Sequence, residues 1–111
     1  GTTIRDDDIR RVHDMIGRLA CQGLTVDHLL TRVSMSQKTL NKRYAAVYGL
    51  TPGAAIRKTR AERAKELLAT TSISVSRIAD MVGFDEPSNF NLFFKREVGC
   101  TPGQYRAEPQ R

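Results

Sequence analysis

Two short stretches of the chain, fifty residues apart, carry the side chains that are best suited to recognising another molecule. At about 100° per residue of a helix, their outward positions hold ammonium, hydroxyl, amide and short apolar groups: Lys38, Asn41, Lys42 and Ala45 in the first, and Ser88, Asn91, Leu92 and Lys95 in the second. Such groups match the base edges in the major groove of DNA, where Lys42 can reach guanine, Asn41 can pair with adenine and Leu92 can contact a thymine methyl group. These residue types and spacings indicate two base-reading helices.

The two stretches belong to an internal repeat with a constant offset. The repeat pairs an aromatic residue, a glycine and a Thr-Pro-Gly step: Tyr44 with Phe94, Gly49 with Gly99, and Thr51-Pro52-Gly53 with Thr101-Pro102-Gly103. A repeat of this length predicts a chain built from two similar structural units.

The net charge of +6 comes from one segment of the 111 residues, and that segment also holds the first stretch. Residues 28–60 contain no acidic residue and seven basic ones: Arg32, Lys38, Lys42, Arg43, Arg57, Lys58 and Arg60. A basic surface attracts polyanions. We therefore expect the first unit to supply most of the affinity for DNA and most of its salt dependence. The alternative is a solvated basic face without a partner.

The apolar periodicity predicts an all-α fold of about seven helices, in which two helix-turn-helix subdomains are joined by a long central helix. The predicted helices span about residues 9–20, 26–33, 37–48, 52–70, 75–82, 87–98 and 103–106. The corresponding division is a first subdomain at 9–50, a linker helix at 51–71, a second subdomain at 72–106 and a tail at 107–111. The linker helix would be about 28 Å long, close to the spacing of about 34 Å between major-groove faces one turn apart.

Local signals define the ends and faces of these helices. Hydroxyl residues stand before four of them as N-caps: Thr25, Ser36, Thr51 and Ser74. We expect Asp6-Asp7-Asp8 to cap the first helix, and Val47 to face the core of the third. In the turn before the second stretch, Gly83 can adopt a positive φ without steric strain. Ser34 takes the equivalent place in the first turn, where a positive φ would cost roughly 1 kcal/mol.

The second turn and its following helix carry a long pattern of fixed residues, Ile78-Ala79-x3-Gly83-Phe84-x3-Ser88-x-Phe90-x3-Phe94-Lys95-x3-Gly99-x-Thr101-Pro102-x2-Tyr105-Arg106. This pattern resembles the signature of the AraC/XylS family of bacterial transcription regulators, and the resemblance extends over residues 9–106. Within that family, the first helix and residues 40–44 are similar to xylose-operon activators.

The resemblance implies a cytoplasmic transcription regulator that places two recognition helices in adjacent major grooves of double-stranded DNA. It also implies a sensor domain elsewhere in a longer protein, which agrees with a chain that begins at Gly1. The implied base contacts are Lys38, Thr39, Asn41, Lys42, Ser88, Asn89, Asn91 and Leu92. The implied phosphate contacts, which position without specifying sequence, are Ser36, Arg43, Arg57, Lys95 and Arg96.

Several alternatives to these contacts stay open. Lys38 and Lys42 would touch phosphates alone if they do not reach the bases, and each arginine would otherwise be a solvated charge. Family members often have arginine where this chain has Leu92, so a long donor is missing there. Leu92 can still contact a thymine methyl group, or it forms a patch for a partner such as RNA polymerase or a sensor domain. The main rival function is a helical protein–protein interaction module that uses Leu92 and Ala45-Ala46 and binds no specific DNA sequence.

We expect no enzymatic activity, metal or cofactor. His13 and His28 lie on helices without a recognisable catalytic constellation. Cys21 and Cys100 form no Cys-x-x-Cys pair, and we expect both to be reduced, half-buried thiols. The chain has no run of about 18 apolar residues, so we expect no membrane span.

Overall fold

The computed structural model describes the backbone of residues 2–108 and the side chains of residues 7–108. Within that range the chain has no strand and folds into seven α-helices. These are α1 (Thr2–Leu19), α2 (Val26–Leu30), α3 (Gln37–Tyr48), α4 (Pro52–Thr70), α5 (Val75–Met81), α6 (Pro87–Val98) and α7 (Pro102–Ala107). A short 3-10 turn, Ala20–Gln22, follows α1. The molecule measures 51 × 29 × 20 Å, and the predicted all-α fold with a long central helix is confirmed.

Two apolar cores lie at opposite ends of α4. The first is built on α1, α2 and α3, and its central buried side chains are Val12, Ile16, Leu29, Leu40 and Tyr44. The second is built on α5, α6 and α7, and its central buried side chains are Ile78, Val82, Phe90, Phe94 and Tyr105. Complete burial of one such side chain stabilises the fold by about 1.5–3 kcal/mol, so each core can hold its own helices.

The helix α4 belongs to both cores. Ala55 and Ile56 near its start are buried in the first core. Ala64 and Leu68 near its end are buried in the second. Because one continuous helix of 19 residues contributes to both cores, the two subdomains share a rigid connection.

Hydroxyl caps start most helices, as the sequence predicts. The side-chain oxygens of Thr25, Ser36, Thr51, Ser74 and Thr101 each accept a hydrogen bond from a backbone N–H three residues later. Such a cap satisfies one of the N–H groups that a helix start leaves unpaired, for about 1 kcal/mol. The predicted bounds of α3, α4 and α6 are confirmed. The helix α6 begins at Pro87 without a side-chain cap.

Other predicted helix ends are wrong. Because α1 begins at Thr2, Asp7 and Asp8 lie inside the helix and do not cap it. Asp8 instead accepts a bond from Arg11 Nη1 at 3.2 Å, one turn further on. The helix α2 ends at Leu30, three residues early, and α5 ends one residue early at Met81. The last helix is longer than predicted, at Pro102–Ala107, and residues 109–111 of the predicted tail lie outside the described residues.

The prediction that Val47 packs in the core is also wrong, because 60% of this residue is exposed. The ring of His13 stacks on Tyr48, with the ring centroids 3.9 Å apart. Tyr44 is buried next to this stack. The core therefore takes Tyr44 and Tyr48 from the last turns of α3, and Val47 points outward.

The two turns have different backbones. Gly83 has a φ of 98°, as predicted, whereas among the described residues only glycines have a positive φ. Ser34, at the equivalent place in the first turn, therefore avoids the positive φ and its cost. Because α2 ends early, six residues (31–36) connect it to α3, whereas five (82–86) connect α5 to α6. The longer connection reverses the chain without a left-handed residue.

Candidate nucleic-acid interface

The helix α3 is held in place by two fully buried side chains and one hydrogen bond. Leu40 and Tyr44 are the buried anchors. The Tyr44 hydroxyl lies 2.9 Å from His13 Nδ1 and so joins α3 to α1. Burial raises the pKa of Tyr44 to about 12, so the phenol keeps its proton at neutral pH. At the helix start, the Ser36 hydroxyl accepts a bond from the backbone N–H of Thr39 at 3.2 Å.

The outward side of α3 forms one shallow concave surface, which we call the α3 face. Its lining residues are Lys38, Thr39, Lys42, Arg43 and Ala46. Four of these were predicted from the sequence to contact DNA. Asn41 and Ala45, which the 100° spacing placed on the same face, are half-buried at its edge. Asn41 and Ala45 lie nearer the core than predicted for the same reason that Val47 is exposed. Tyr48 packs inward, and the side of α3 that faces the core is turned accordingly.

The basic groups of the α3 face form no ion pair with the described side chains. Among the described side chains, no carboxylate lies within ion-pairing distance of Lys38, Lys42 or Arg43. Their positive charge is therefore available to a partner, and a polyanion is the partner that such a surface attracts.

The helix α6 repeats this arrangement fifty residues later. Phe90 and Phe94 are its fully buried anchors, in the places of Leu40 and Tyr44. Its outward side forms a second concave surface, the α6 face, whose lining residues are Asn89, Leu92, Phe93, Arg96 and Glu97, together with Arg57 of α4.

The two faces use equivalent positions of the repeat. Four residue pairs line both surfaces: Thr39 and Asn89, Lys42 and Leu92, Arg43 and Phe93, and Ala46 and Arg96. The repeat therefore continues from the cores to the surface. The chemistry differs, because the α6 face presents Leu92, of which 65% is exposed, where the α3 face presents Lys42. The other predicted contacts of α6, Ser88, Asn91 and Lys95, are also exposed.

Two arginines of the acid-free segment already have partners. Arg57 forms an ion pair with Glu97 across the α6 face, with 3.5 Å between Nε and Oε2. Arg60 is turned inward and donates to the carbonyl oxygens of Ala20 and Leu24. This inward orientation was not predicted from the sequence. The signal was present, because Arg60 follows Ile56 and precedes Ala64 at helical spacing of four, in line with the apolar stripe.

Among the described residues, no three His, Cys, Asp or Glu side chains come together as a metal site would require. Over the same part of the chain, no helix is long and apolar enough to span a membrane. Cys21 and Cys100 are half-buried and form no disulfide. Burial raises the pKa of the Cys21 thiol, and the nearby Arg60 and Arg63 partly oppose this effect.

A family of sequences described as a helix-turn-helix domain matches residues 29–108. The xylose operon regulatory protein of Escherichia coli strain K12 is 32% identical over 104 residues, which are 94% of this chain and 26% of that protein. The chain thus spans about a quarter of the length of this curated relative.

Two solved structures of domains resemble the fold along almost all of its length. The DNA-binding domain of AdpA, crystallised with a target DNA, superposes with a TM-score of 0.77 at 29% identity, covering 89% of each chain. The C-terminal domain of AraT, a response regulator from Geobacillus stearothermophilus, gives a TM-score of 0.83 at 28% identity, covering 94% of this chain and 87% of its own.

Proposed function

This chain belongs to the AraC-type family of helix-turn-helix domains, and we propose that it binds double-stranded DNA sequence-specifically and regulates bacterial transcription. The observation that carries the proposal is the pair of outward faces, which use four equivalent positions of the repeat. They lie on helices packed near opposite ends of α4. That helix has 19 residues and is about 28 Å long, which suits two major-groove contacts about one helical turn apart.

The proposal gives the α3 face most of the electrostatic attraction. No carboxylate among the described side chains pairs with Lys38, Lys42 or Arg43, and each phosphate contact releases counterions from the DNA. Lys42 at the centre of the face reads guanine, and Thr39 beside it contacts a neighbouring base. Asn41 lies at the edge of the face, so its part in base reading depends on how deeply α3 enters the groove. Ser36 caps α3 and would meet the backbone at the groove edge.

The α6 face would recognise bases through amide, hydroxyl and apolar groups more than through positive charge. Asn89 and Asn91 offer amides that suit adenine, Ser88 offers a hydroxyl, and Leu92 suits a thymine methyl group. Lys95 and Arg96 further along α6 would contact phosphates, with Arg57 opposite them. The rival function, a protein-interaction module centred on Leu92, predicts no preference among DNA sequences.

The regulator as a whole is also part of the proposal. The xylose operon regulatory protein is almost four times as long as the stretch that matches this chain. We propose that the domain works within a longer protein that carries a sensor domain, in the bacterial cytoplasm where the DNA lies. Contact with RNA polymerase would belong to the same role. The proposed activity is binding, and it assigns no catalytic step or cofactor to the described residues.

The test is selection of the domain on a random duplex library at two salt concentrations. We expect an enriched site of two short boxes, centred about one helical turn, roughly 10 base pairs, apart. Enrichment of one box would indicate that the α3 face alone reads DNA and that the α6 face is a surface for a partner. Weak, salt-dependent binding without enrichment would contradict the proposal and favour the interaction module. The matched control is Arg77→Ala, which removes one exposed cation of α5 outside both faces and should leave the enriched sequence unchanged.

A further inference from the structure

The two subdomains touch at a second place besides the shared helix α4. The 3-10 turn Ala20–Gln22 belongs to the first subdomain by sequence. Cys21 in this turn nevertheless packs against the second core. The turn that carries Gly83 and Phe84 lies opposite it. We call this contact the junction.

Backbone meets backbone at the junction. A Cβ atom added to Gly83 would lie 3.0 Å from the carbonyl oxygen of Cys21 and 3.3 Å from the nitrogen of Gly23. Contacts at these distances are tighter than nine in ten of those that real Cβ atoms make, so the backbone opposite would have to move. Gly83 is therefore needed for contact between the subdomains as well as for its φ of 98°.

Arg60 fills the junction from the side of α4. Its Nε donates to the Ala20 carbonyl at 2.6 Å and its Nη2 donates to the Leu24 carbonyl at 3.0 Å. The guanidinium also lies over the ring of Phe84, 5.5 Å from the ring centroid. One planar cation thus binds the first subdomain by hydrogen bonds and the second by a cation–π contact.

Arg106 makes a similar contact that stays within the second subdomain. Its Nε and Nη2 donate to the carbonyls of Leu68 and Thr71, both at 3.2 Å, at the C-terminal end of α4. A helix end leaves such carbonyls unpaired, and an arginine satisfies two at once. The stacking of Arg60 on a ring of the other subdomain has no counterpart among the contacts of Arg106.

We propose that Arg60 is a positioning residue, which fixes the α6 face relative to the α3 face and so determines the spacing between the two DNA boxes that the protein accepts. Without the junction, α4 alone would connect the subdomains. The second subdomain would then twist and bend about that helix, and boxes at other spacings would become acceptable. The inference rests on the proposed function, because it specifies how the two faces act together.

The experiment measures affinity for duplexes in which the selected boxes are moved apart or together by one base pair. The variant is Arg60→Lys, which keeps the charge but loses the planar fork and the ring stacking. We expect the preference for the best spacing to fall about three- to tenfold, as loss of a cation–π contact and a charged hydrogen bond would give. Arg106→Lys is the matched control and should lower thermal stability without changing the spacing preference.

A second variant covers the case in which Arg60→Lys fails to fold. Phe84→Leu keeps an apolar side chain beside Phe93 and removes only the ring beneath the guanidinium. It should broaden the accepted spacing in the same direction. An unchanged spacing preference in a folded Arg60→Lys or Phe84→Leu protein would overturn the inference while leaving the proposed function intact. If the unchanged protein selects a single box, the inference fails while DNA reading by the α3 face stands. If it selects no sequence at all, the proposed function fails, and the inference fails with it.

Discussion

Glu97→Gln should tighten DNA binding. Glu97 is an acidic residue that lines the α6 face, and its carboxylate holds Arg57. In the proposed complex both side chains would lie near the phosphates that pass between the two grooves. Phosphate would have to compete with Glu97 for Arg57 and would also be repelled by the carboxylate. The amide of glutamine removes both effects at nearly constant volume.

The expected size of the effect is modest. About half of the Arg57 side chain is exposed, 53%, against 25% for Glu97. Solvent screening therefore keeps this ion pair within the range of about 0–1 kcal/mol that is typical of surface pairs. Its loss should raise DNA affinity by up to about fivefold. If Arg57 then gains a phosphate, the slope of log K against log salt should steepen by about 0.9.

Fluorescence anisotropy titrations of a labelled duplex at several salt concentrations would measure both quantities. Arg57→Gln and the double variant complete a mutant cycle with Glu97→Gln. Glu62→Gln is the charge-matched control, since Glu62 is an exposed carboxylate of α4, the helix that carries Arg57, and pairs with Lys65 outside the α6 face. The predicted role of Glu97 is refuted if the Glu97→Gln protein binds no more tightly than the Glu62→Gln protein. It is also refuted if Glu97→Gln raises the affinity by the same factor when Arg57 is already replaced.

Three further predictions concern the reading helices and the backbone. Lys42→Ala should weaken binding and reduce the salt slope by about 1, whereas Asn91→Ala should alter base preference and leave the slope unchanged; equal effects on slope in the same titrations would contradict the charge asymmetry. Gly83→Ala should cost about 2 kcal/mol or more of unfolding free energy in urea, while Gly17→Ala, in an open part of α1, should add about 0.5–1 kcal/mol. Tyr44→Phe should cost about 1 kcal/mol by the same measurement, because it removes the hydrogen bond to His13, and no loss would show that this bond contributes nothing.

The features that the sequence predicted correctly depend on short-range physics. A hydroxyl cap acts over three residues, and proline at the first helical position needs only its own ring, so Thr51-Pro52 located the start of α4. Leu40 and Phe90 are buried at positions that helical periodicity alone places on the apolar side of their helices. No knowledge of the neighbouring subdomain was required for any of these predictions.

The features that were predicted wrongly from the sequence depend on partner residues that are distant along the chain. Val47 and Tyr48 are adjacent apolar residues, and the stacking of His13 from α1 decides which of them packs inward. Arg60 was counted with the surface cations because its charge is visible in the sequence. Its partners, the carbonyls at Ala20 and Leu24, lie 40 and 36 residues away.

The charge asymmetry between the two units is smaller in three dimensions than in the sequence. Of the seven basic residues in 28–60, Arg60 is turned inward and Arg57 is paired with Glu97. The three cations of the α3 face have no carboxylate partner in the described part of the chain, while α6 offers the exposed Lys95 and Arg96 near its end. We therefore expect the first unit to dominate the salt dependence without supplying all of it.

The divergence of the two repeats separates fold from specificity. At the buried positions, Leu40 and Tyr44 correspond to Phe90 and Phe94, so each change keeps a large apolar or aromatic side chain, as close packing requires. At the outward positions, Lys42 corresponds to Leu92, and packing imposes no such limit there. The two faces therefore share one geometry but present different chemistry to the groove. A single chain of this kind would read two different boxes, and its DNA site needs no twofold symmetry.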